Sequence, residues 1–201
     1  MKVAILDYGG GNVPSVERAL RKLGATTERV ATVEALAAAS AIVLPGQGHY
    51  ASLIRALDAS GLRAPLVDAL LRGKPFLGIC LGLQALYQSS EEAPDLAGLG
   101  ILSGKIRALP GSVKLPHMGW NRLNVRRESR LLTGLNGDEY FYFAHTFAAG
   151  AANGETVASC EYGVEFGAVV EVGQMCAVQF HPEKSGSAGA KLLEIFLGIA
   201  A

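Results

Sequence analysis

A single thiol, Cys80, stands in the run Gly78-Ile79-Cys80-Leu81-Gly82, where an apolar stretch from Pro75 to Ile79 gives way to helical spacing. Much later in the chain, His181-Pro182-Glu183 sets an imidazole and a carboxylate two positions apart. A thiol attacks only as its thiolate, so a reactive cysteine needs a lowered pKa and access, often found at a helix N-terminus. The small-x-nucleophile-x-small pattern resembles the tight strand-turn-helix elbow of hydrolases, and small neighbours let such a turn close. An isolated cysteine is more often a buried packing group; the elbow context is what singles out Cys80. His181 precedes a proline and is therefore pushed into extended backbone. In extended backbone, side chains i and i+2 share a side, so Glu183 can fix the tautomer of the imidazole. Nucleophile, base and orienting acid are all present.

Thiolate attack on a carbonyl creates a tetrahedral oxyanion, which needs N–H donors aimed at it. The turn Pro45-Gly46-Gln47-Gly48 offers backbone donors at Gln47 and Gly48, and the amide of Leu81, just after the nucleophile, offers another. A glycine turn of this kind is a weak signal by itself. Its value depends on standing at the same sheet edge as Cys80.

The elements around these residues predict such an edge. Val3 to Leu6 reads as a short strand that runs into the glycine-rich turn Asp7-Tyr8-Gly9-Gly10-Gly11-Asn12. Val16, Ala19, Leu20 and Leu23 follow at helical spacing, with Gly24 where a helix-ending glycine belongs. The pattern recurs with Ala41 to Leu44, the Pro45–Gly48 turn and a helix carrying Leu53, Ile54 and Leu57. It recurs again with Phe76 to Ile79, the Cys80 turn and a helix carrying Leu83 and Leu86. Short apolar strands alternating with amphipathic helices predict an α/β fold, a mostly parallel sheet covered on both faces with its functional loops at the strand C-termini. Past Gly104 the chain turns to β character. Candidate strands lie at Leu123–Val125, Tyr140–Phe143, Thr156–Cys160, Ala168–Val172 and Cys176–Gln179, as antiparallel or mixed additions. Ala188 to Leu197 returns to helical spacing and should pack back on the sheet.

With 201 residues, half of them hydrophobic, the chain is expected to form one domain over 1–201. Eighteen basic and eighteen acidic side chains cancel, so no overall field draws it to nucleic acid or an anionic membrane. Three cysteines, Cys80, Cys160 and Cys176, form neither a disulfide framework nor a metal-ligand pattern. No metal or cofactor is expected, and a reducing, cytoplasmic setting fits best. The apolar run near the N-terminus is too short for a signal-peptide core or a membrane span.

The elbow and the late His-Pro-Glu resemble those of the class I (triad) glutamine amidotransferases, and the resemblance spans essentially the whole chain. It implies hydrolysis of the glutamine side-chain amide, with Cys80 attacking, His181 shuttling protons and Glu183 orienting His181. Three further runs resemble signatures of one branch, the glutaminase subunit of imidazole glycerol phosphate synthase. These are Asp7 to Asn12 with Ser15 following, Pro116-His117-Met118-Gly119-Trp120-Asn121, and His181-Pro182-Glu183-Lys184-Ser185. That resemblance implies a (β/α)8-barrel cyclase as heterodimer partner in histidine biosynthesis. The partner would use the ammonia to make imidazole glycerol phosphate and the aminoimidazole carboxamide ribotide. It also implies that Gln84 binds substrate glutamine and that Glu92 receives its α-amino group, a charge pairing. Asn12, His117, Met118, Trp120 and Lys184 would belong to the partner interface, with Pro116–Asn121 as a loop near the ammonia path. From the residues alone, Trp120 reads as core and Lys184 as a free surface charge; His117 and His145 have no derivable catalytic role. The family often carries valine where this chain has Gln47. A glutaminase of another pathway, such as pyridoxal phosphate synthesis, and a non-catalytic interaction subunit are the alternatives.

Overall fold

A strand that is apolar at successive positions, as Ala41–Gly46 and Phe76–Cys80 are, needs both sheet faces covered, and this chain supplies helices for each. In the computed structural model, which describes residues 1–10, 12–152 and 154–201, β1 (Lys2–Leu6) leads to α1 (Val13–Lys22), β2 (Thr26–Val30) and α2 (Val33–Ala38). Next come β3 (Ala41–Gly46), α3 (Tyr50–Ala59), α4 (Arg63–Leu71), β4 (Phe76–Cys80) and α5 (Leu81–Gln84). The second half holds β5 (Tyr87–Ser90), β6 (Leu102–Ala108), β7 (His117–Asn121), β8 (Asn124–Val125), β9 (Phe141–His145) and β10 (Phe147–Ala148). Then follow β11 (Thr156–Glu161), β12 (Glu165–Val172), β13 (Met175–Val178), a 3-10 turn at Pro182–Lys184 and α6 (Gly186–Ile199). Gly11 of the first glycine-rich turn lies outside the described residues.

The main sheet has the order β2-β1-β3-β4-β13-β12-β11-β8. Strands β2, β1, β3, β4 and β13 are parallel; β12, β11 and β8 extend the sheet antiparallel. Val3 and Ile5 face one core with Val16 and Leu20 of α1 and Leu192 and Phe196 of α6. Ala4 and Leu6 face the other, with Leu53 and Leu57 of α3 and Leu66 of α4. Each fully buried aliphatic side chain contributes roughly 1.5–3 kcal/mol, so the two-faced pattern, more than helix propensity, holds these layers together. The α/β reading is therefore correct, as is the return of the last helix to the sheet. The parallel arrangement delivers the ends of β1, β3, β4 and β13 to one edge. There Gly46 is in register with Cys80.

Three local expectations change, and one strand was not anticipated. Thr26–Val30 forms an edge strand although its sequence does not alternate, and Arg29 fastens it by ion pairs to Glu17 and Asp7. Pro45 and Gly46 continue β3, so the turn begins only at Gln47. The helix after Cys80 is one turn long and excludes Leu86. The segment His117–Asn121 is a strand, not a loop; it pairs antiparallel with β9 from His117↔His145 to Asn121↔Phe141.

Candidate active site

Cys80 ends β4 with φ 53° and ψ −104°, the one non-glycine among the described residues with positive φ. Such a conformation costs about 1–3 kcal/mol and persists only where the surroundings hold it. Here the surroundings are backbone. A Cβ on Gly82 would lie 2.0 Å from the Leu44 carbonyl oxygen, and one on Gly78 would lie 2.9 Å from the Gly82 carbonyl. Only glycines let β4 and α5 close this tightly, so the sequence pattern around Cys80 is a steric requirement of the elbow. The N–H of Leu81 occupies the first position of α5, where a helix leaves donors without internal acceptors.

The segment after β13 is clamped by one backbone bond and by the Ser185 hydroxyl. His181 N–H donates to the Tyr142 carbonyl at 2.8 Å, Tyr142 N–H donates to Ser185 Oγ at 3.0 Å, and Ser185 Oγ donates to the His181 carbonyl at 2.6 Å. Within that clamp His181 Nδ1 lies 3.0 Å from Glu183 Oε1, both side chains almost wholly buried. Asn12 Nδ2 donates to the same carboxylate oxygen at 3.2 Å. Burial alone would lower the pKa of His181; the nearby Cys80 sulfur, by charge and hydrogen bonding, and then Glu183 carry it up to about 10. Nε2 of His181 makes no hydrogen bond of standard geometry among the described residues, yet stands near enough to Cys80 for the sulfur to govern its protonation. Catalytic hydrogen bonds are often loose before substrate binds.

A polar chain reaches the sulfur from its other side. Gln179, fully buried, donates from Nε2 to Cys80 Sγ at 3.4 Å. Gln84 Nε2 donates to Gln179 Oε1 at 3.1 Å and to the Phe147 carbonyl at 2.7 Å. That carbonyl also meets His145 Nδ1 at 3.0 Å, and His145 Nε2 meets His117 Nδ1 at 3.0 Å. A carbonyl only accepts, so His145 carries its proton on Nδ1 and accepts from His117 at Nε2. Burial pulls His145 down to about 3, which keeps it neutral as this bonding requires.

A cleft of about 380 Å³ opens over the elbow, lined by Gln47, Gly48, Cys80, Leu81, Gln84 and Glu92 together with Pro116 and Ala144 to Phe147. All six side chains or turns expected around a bound glutamine are thus brought together. A larger cleft of about 520 Å³, around Leu132 and Phe141, contains none of them. Glu92 Oε2 accepts from the Tyr50 N–H at the start of α3 at 2.8 Å. Gly48 adopts φ +98°. The Gln47 N–H, expected to face the oxyanion, instead donates to the Tyr8 hydroxyl at 3.1 Å, and that hydroxyl donates to the Gln47 carbonyl at 3.2 Å. Burial pushes the Tyr8 phenol up to about 12, so it stays protonated and able to do both. No cluster of three or more His, Cys, Asp or Glu side chains suited to a metal occurs among the described residues.

The sequence profile described as glutamine amidotransferase class-I matches residues 4–199. The chain belongs to this family. Curated relatives of this amidotransferase include the imidazole glycerol phosphate synthase subunit HisH of Methanothermobacter thermautotrophicus, 46% identical over 98% of both chains. The HisH subunit of Desulfitobacterium hafniense is 44% identical over 96% of this chain and 92% of its own, and that of Deinococcus radiodurans 42% over 97% and 92%. Among solved structures, one titled a glutamine amidotransferase superposes with a TM-score of 0.78 at 21% identity, covering 98% of each chain. The structure of PurLQS from Thermotoga maritima gives 0.76 at 23%, covering 98% and 97%. At those identities the structures speak for the fold alone.

The amidotransferase's expected interface residues divide. On β7, Met118 and Trp120 are exposed, 64% and 51%, so Trp120 is not core. Its ring meets Tyr142 edge-on at 5.7 Å, and Lys184 stands over the same Tyr142 ring at 5.9 Å. His117 points the other way and is buried, stacked on Tyr162 at 4.0 Å; its ring does not reach a surface. Asn12 holds the Glu183 carboxylate rather than projecting outward. Cys160 and Cys176 are free buried thiols, pushed up to about 12 by burial, in keeping with a packing role. Gln179, Tyr8 and Ser185 were not legible as site residues. For Gln179 a signal existed: an amide two positions before His181, on the same side of an extended segment.

Proposed function

We propose that this chain, as one amidotransferase domain over residues 1–201, is the glutaminase subunit of imidazole glycerol phosphate synthase. Cys80 is the nucleophile, His181 the general base and acid, and Glu183 the group that holds the His181 tautomer. The observation that carries this reading is the strained Cys80 elbow meeting a buried His181 whose Nδ1 is fixed at 3.0 Å from Glu183. The Cys80 thiolate attacks the side-chain carbonyl carbon of glutamine, and its π electrons move to oxygen. The N–H of Leu81 receives that charge, joined by the turn at Gln47 and Gly48 once the Gln47 N–H is released from the Tyr8 hydroxyl. His181 protonates the nitrogen as the C–N bond breaks, so ammonia leaves and a thioester remains. Water, deprotonated by His181, then attacks the thioester; the C–S bond breaks and glutamate departs.

The cleft supplies the remaining recognition. Glu92 takes the α-ammonium group through a charge-assisted hydrogen bond, and Gln84 lines the wall behind the carboxamide. Support for the pathway comes from the relatives, all named as HisH subunits of a synthase, which entails a partner subunit for the amidotransferase. The partner is a (β/α)8-barrel cyclase in a heterodimer, docking on the face that carries Met118, Trp120 and Lys184. Ammonia passes to it and ends up in imidazole glycerol phosphate and the aminoimidazole carboxamide ribotide. No helix among the described residues is long and apolar enough to cross a membrane.

The test is glutamate formation with and without the cyclase and its nucleotide ligand. Cys80→Ala is expected to abolish it while leaving cyclase binding intact. Full turnover in that variant, or no stimulation by the cyclase, overturns the reading.

A further inference from the structure

Gln179 is a fully buried amide at the end of an otherwise apolar strand, and a buried amide costs free energy unless its hydrogen bonds are met. It follows β13 directly, one position past the pair Val178↔Ile79, which sets it level with Cys80 on the neighbouring strand. One backbone group fixes which way its amide points. The Phe147 carbonyl can only accept, so the nitrogen of Gln84, 2.7 Å away, must face it. The same nitrogen has a second hydrogen and lies 3.1 Å from Gln179, whose oxygen must therefore face Gln84. The Gln179 nitrogen is left directed at Cys80 Sγ at 3.4 Å.

We infer that Gln179 is a further catalytic residue of the glutaminase reaction, donating a hydrogen bond that stabilises the Cys80 thiolate. This rests on the reading of Cys80 as nucleophile. A hydrogen bond to an ionised acceptor is stronger than one to a neutral acceptor, so the Gln179 N–H favours thiolate over thiol. It differs from His181 in one respect that matters to the reaction. The imidazole gives its proton to the departing ammonia, whereas the amide proton stays in place throughout. When the attack of water breaks the C–S bond, the electron pair returns to a sulfur that still has its donor. Gln84 and Phe147 act through Gln179, as positioning groups that stop its amide from turning its oxygen toward the sulfur.

The experiment is alkylation of Cys80 by iodoacetamide across pH in the full chain, followed peptide by peptide. Buried Cys160 and Cys176 serve as unreactive controls. Gln179→Met keeps the length of the side chain and removes the donor. The expected result is a rise of about one pH unit in the alkylation midpoint, about tenfold less thiolate at any pH well below it. Because that variant strands a Gln84 N–H in the core, the double variant Gln84→Met/Gln179→Met, with no polar half left over, is measured beside it. An unchanged midpoint in either variant, once circular dichroism shows it folded, overturns the proposal. A purely packing role for Gln179 would alter stability and leave the midpoint in place. Turnover of glutamine by Cys80→Ala with the cyclase would instead remove the nucleophile reading, and it would do so through activity, independent of alkylation.

Discussion

At Gln47 one side-chain hydroxyl occupies both polar groups of the backbone, since Tyr8 accepts from the N–H and donates to the carbonyl. An oxyanion donor must be aimed at the position the charge will occupy, and a donor already committed to Tyr8 is not. Tyr8→Phe keeps the ring and removes the hydroxyl. Its expected effect is a gain of about tenfold in glutamate formation by the isolated chain, set against a loss of about 1 kcal/mol in stability from the missing hydrogen bonds. Steady-state assays without the cyclase check this; an unchanged or lower rate shows that the Gln47 amide is not what limits the chain alone. Cys80, His181 and Glu183 were legible in the sequence because residue type and local spacing single them out. Tyr8 was not, because its partner is the backbone of a residue 39 positions away. Gln47 itself illustrates the limit: its backbone donor was named from the sequence, while the hydroxyl that occupies that donor was not.

Among the elements, the short α5 depends most on its neighbours. Four residues cannot form a stable helix alone; Leu81–Gln84 is buried throughout, and its packing needs Gly82 against the Leu44 carbonyl of β3. Gly82→Ala places a methyl carbon 2.0 Å from that oxygen. Something in β3 or the elbow must shift, and the expected cost is about 3 kcal/mol, with glutaminase activity lost in whatever fraction still folds. A midpoint by chemical denaturation within experimental error of the parent would contradict this. The β1, β3 and β4 runs were readable from sequence since both sheet faces demand apolar residues. Strand β2 was not, because Thr26–Val30 is an edge strand that buries only Val30 and is held by its backbone ladder to β1, which leaves no apolar pattern to read. Strand β7 was also missed. In His117-Met118-Gly119-Trp120-Asn121 the inward position is a polar histidine and the outward ones are apolar, the reverse of the usual alternation. The rule failed where a buried polar pair and an exposed aromatic surface coincide.

Across the whole molecule, two histidines shifted in opposite directions shape stability against pH. His145 is held down to about 3 by burial, whereas an unfolded histidine titrates near 6.5. Between those values the unfolded chain binds a proton that the folded chain refuses, so stability falls as pH drops, by up to about 1.4 kcal/mol per unit from this residue. His181 is raised to about 10, its burial outweighed by Cys80 and Glu183. Its contribution is fully present below about 6.5 and is lost as pH climbs through about 10. Urea midpoints from pH 4 to pH 10 should therefore peak near neutrality. His145→Gln should flatten the acid side and Cys80→Ala the alkaline side; an alkaline side unaltered in Cys80→Ala would show that the sulfur does not hold the imidazole's proton. The chain has a single tryptophan, and the structure puts it half-exposed on β7 beside Tyr142 rather than in either core. Its fluorescence is therefore a native reporter of one face: emission should lie toward the red and be quenched by iodide in the isolated chain. Docking of a protein over that strand should move it to the blue and shield it, so complex formation can be titrated optically without any label.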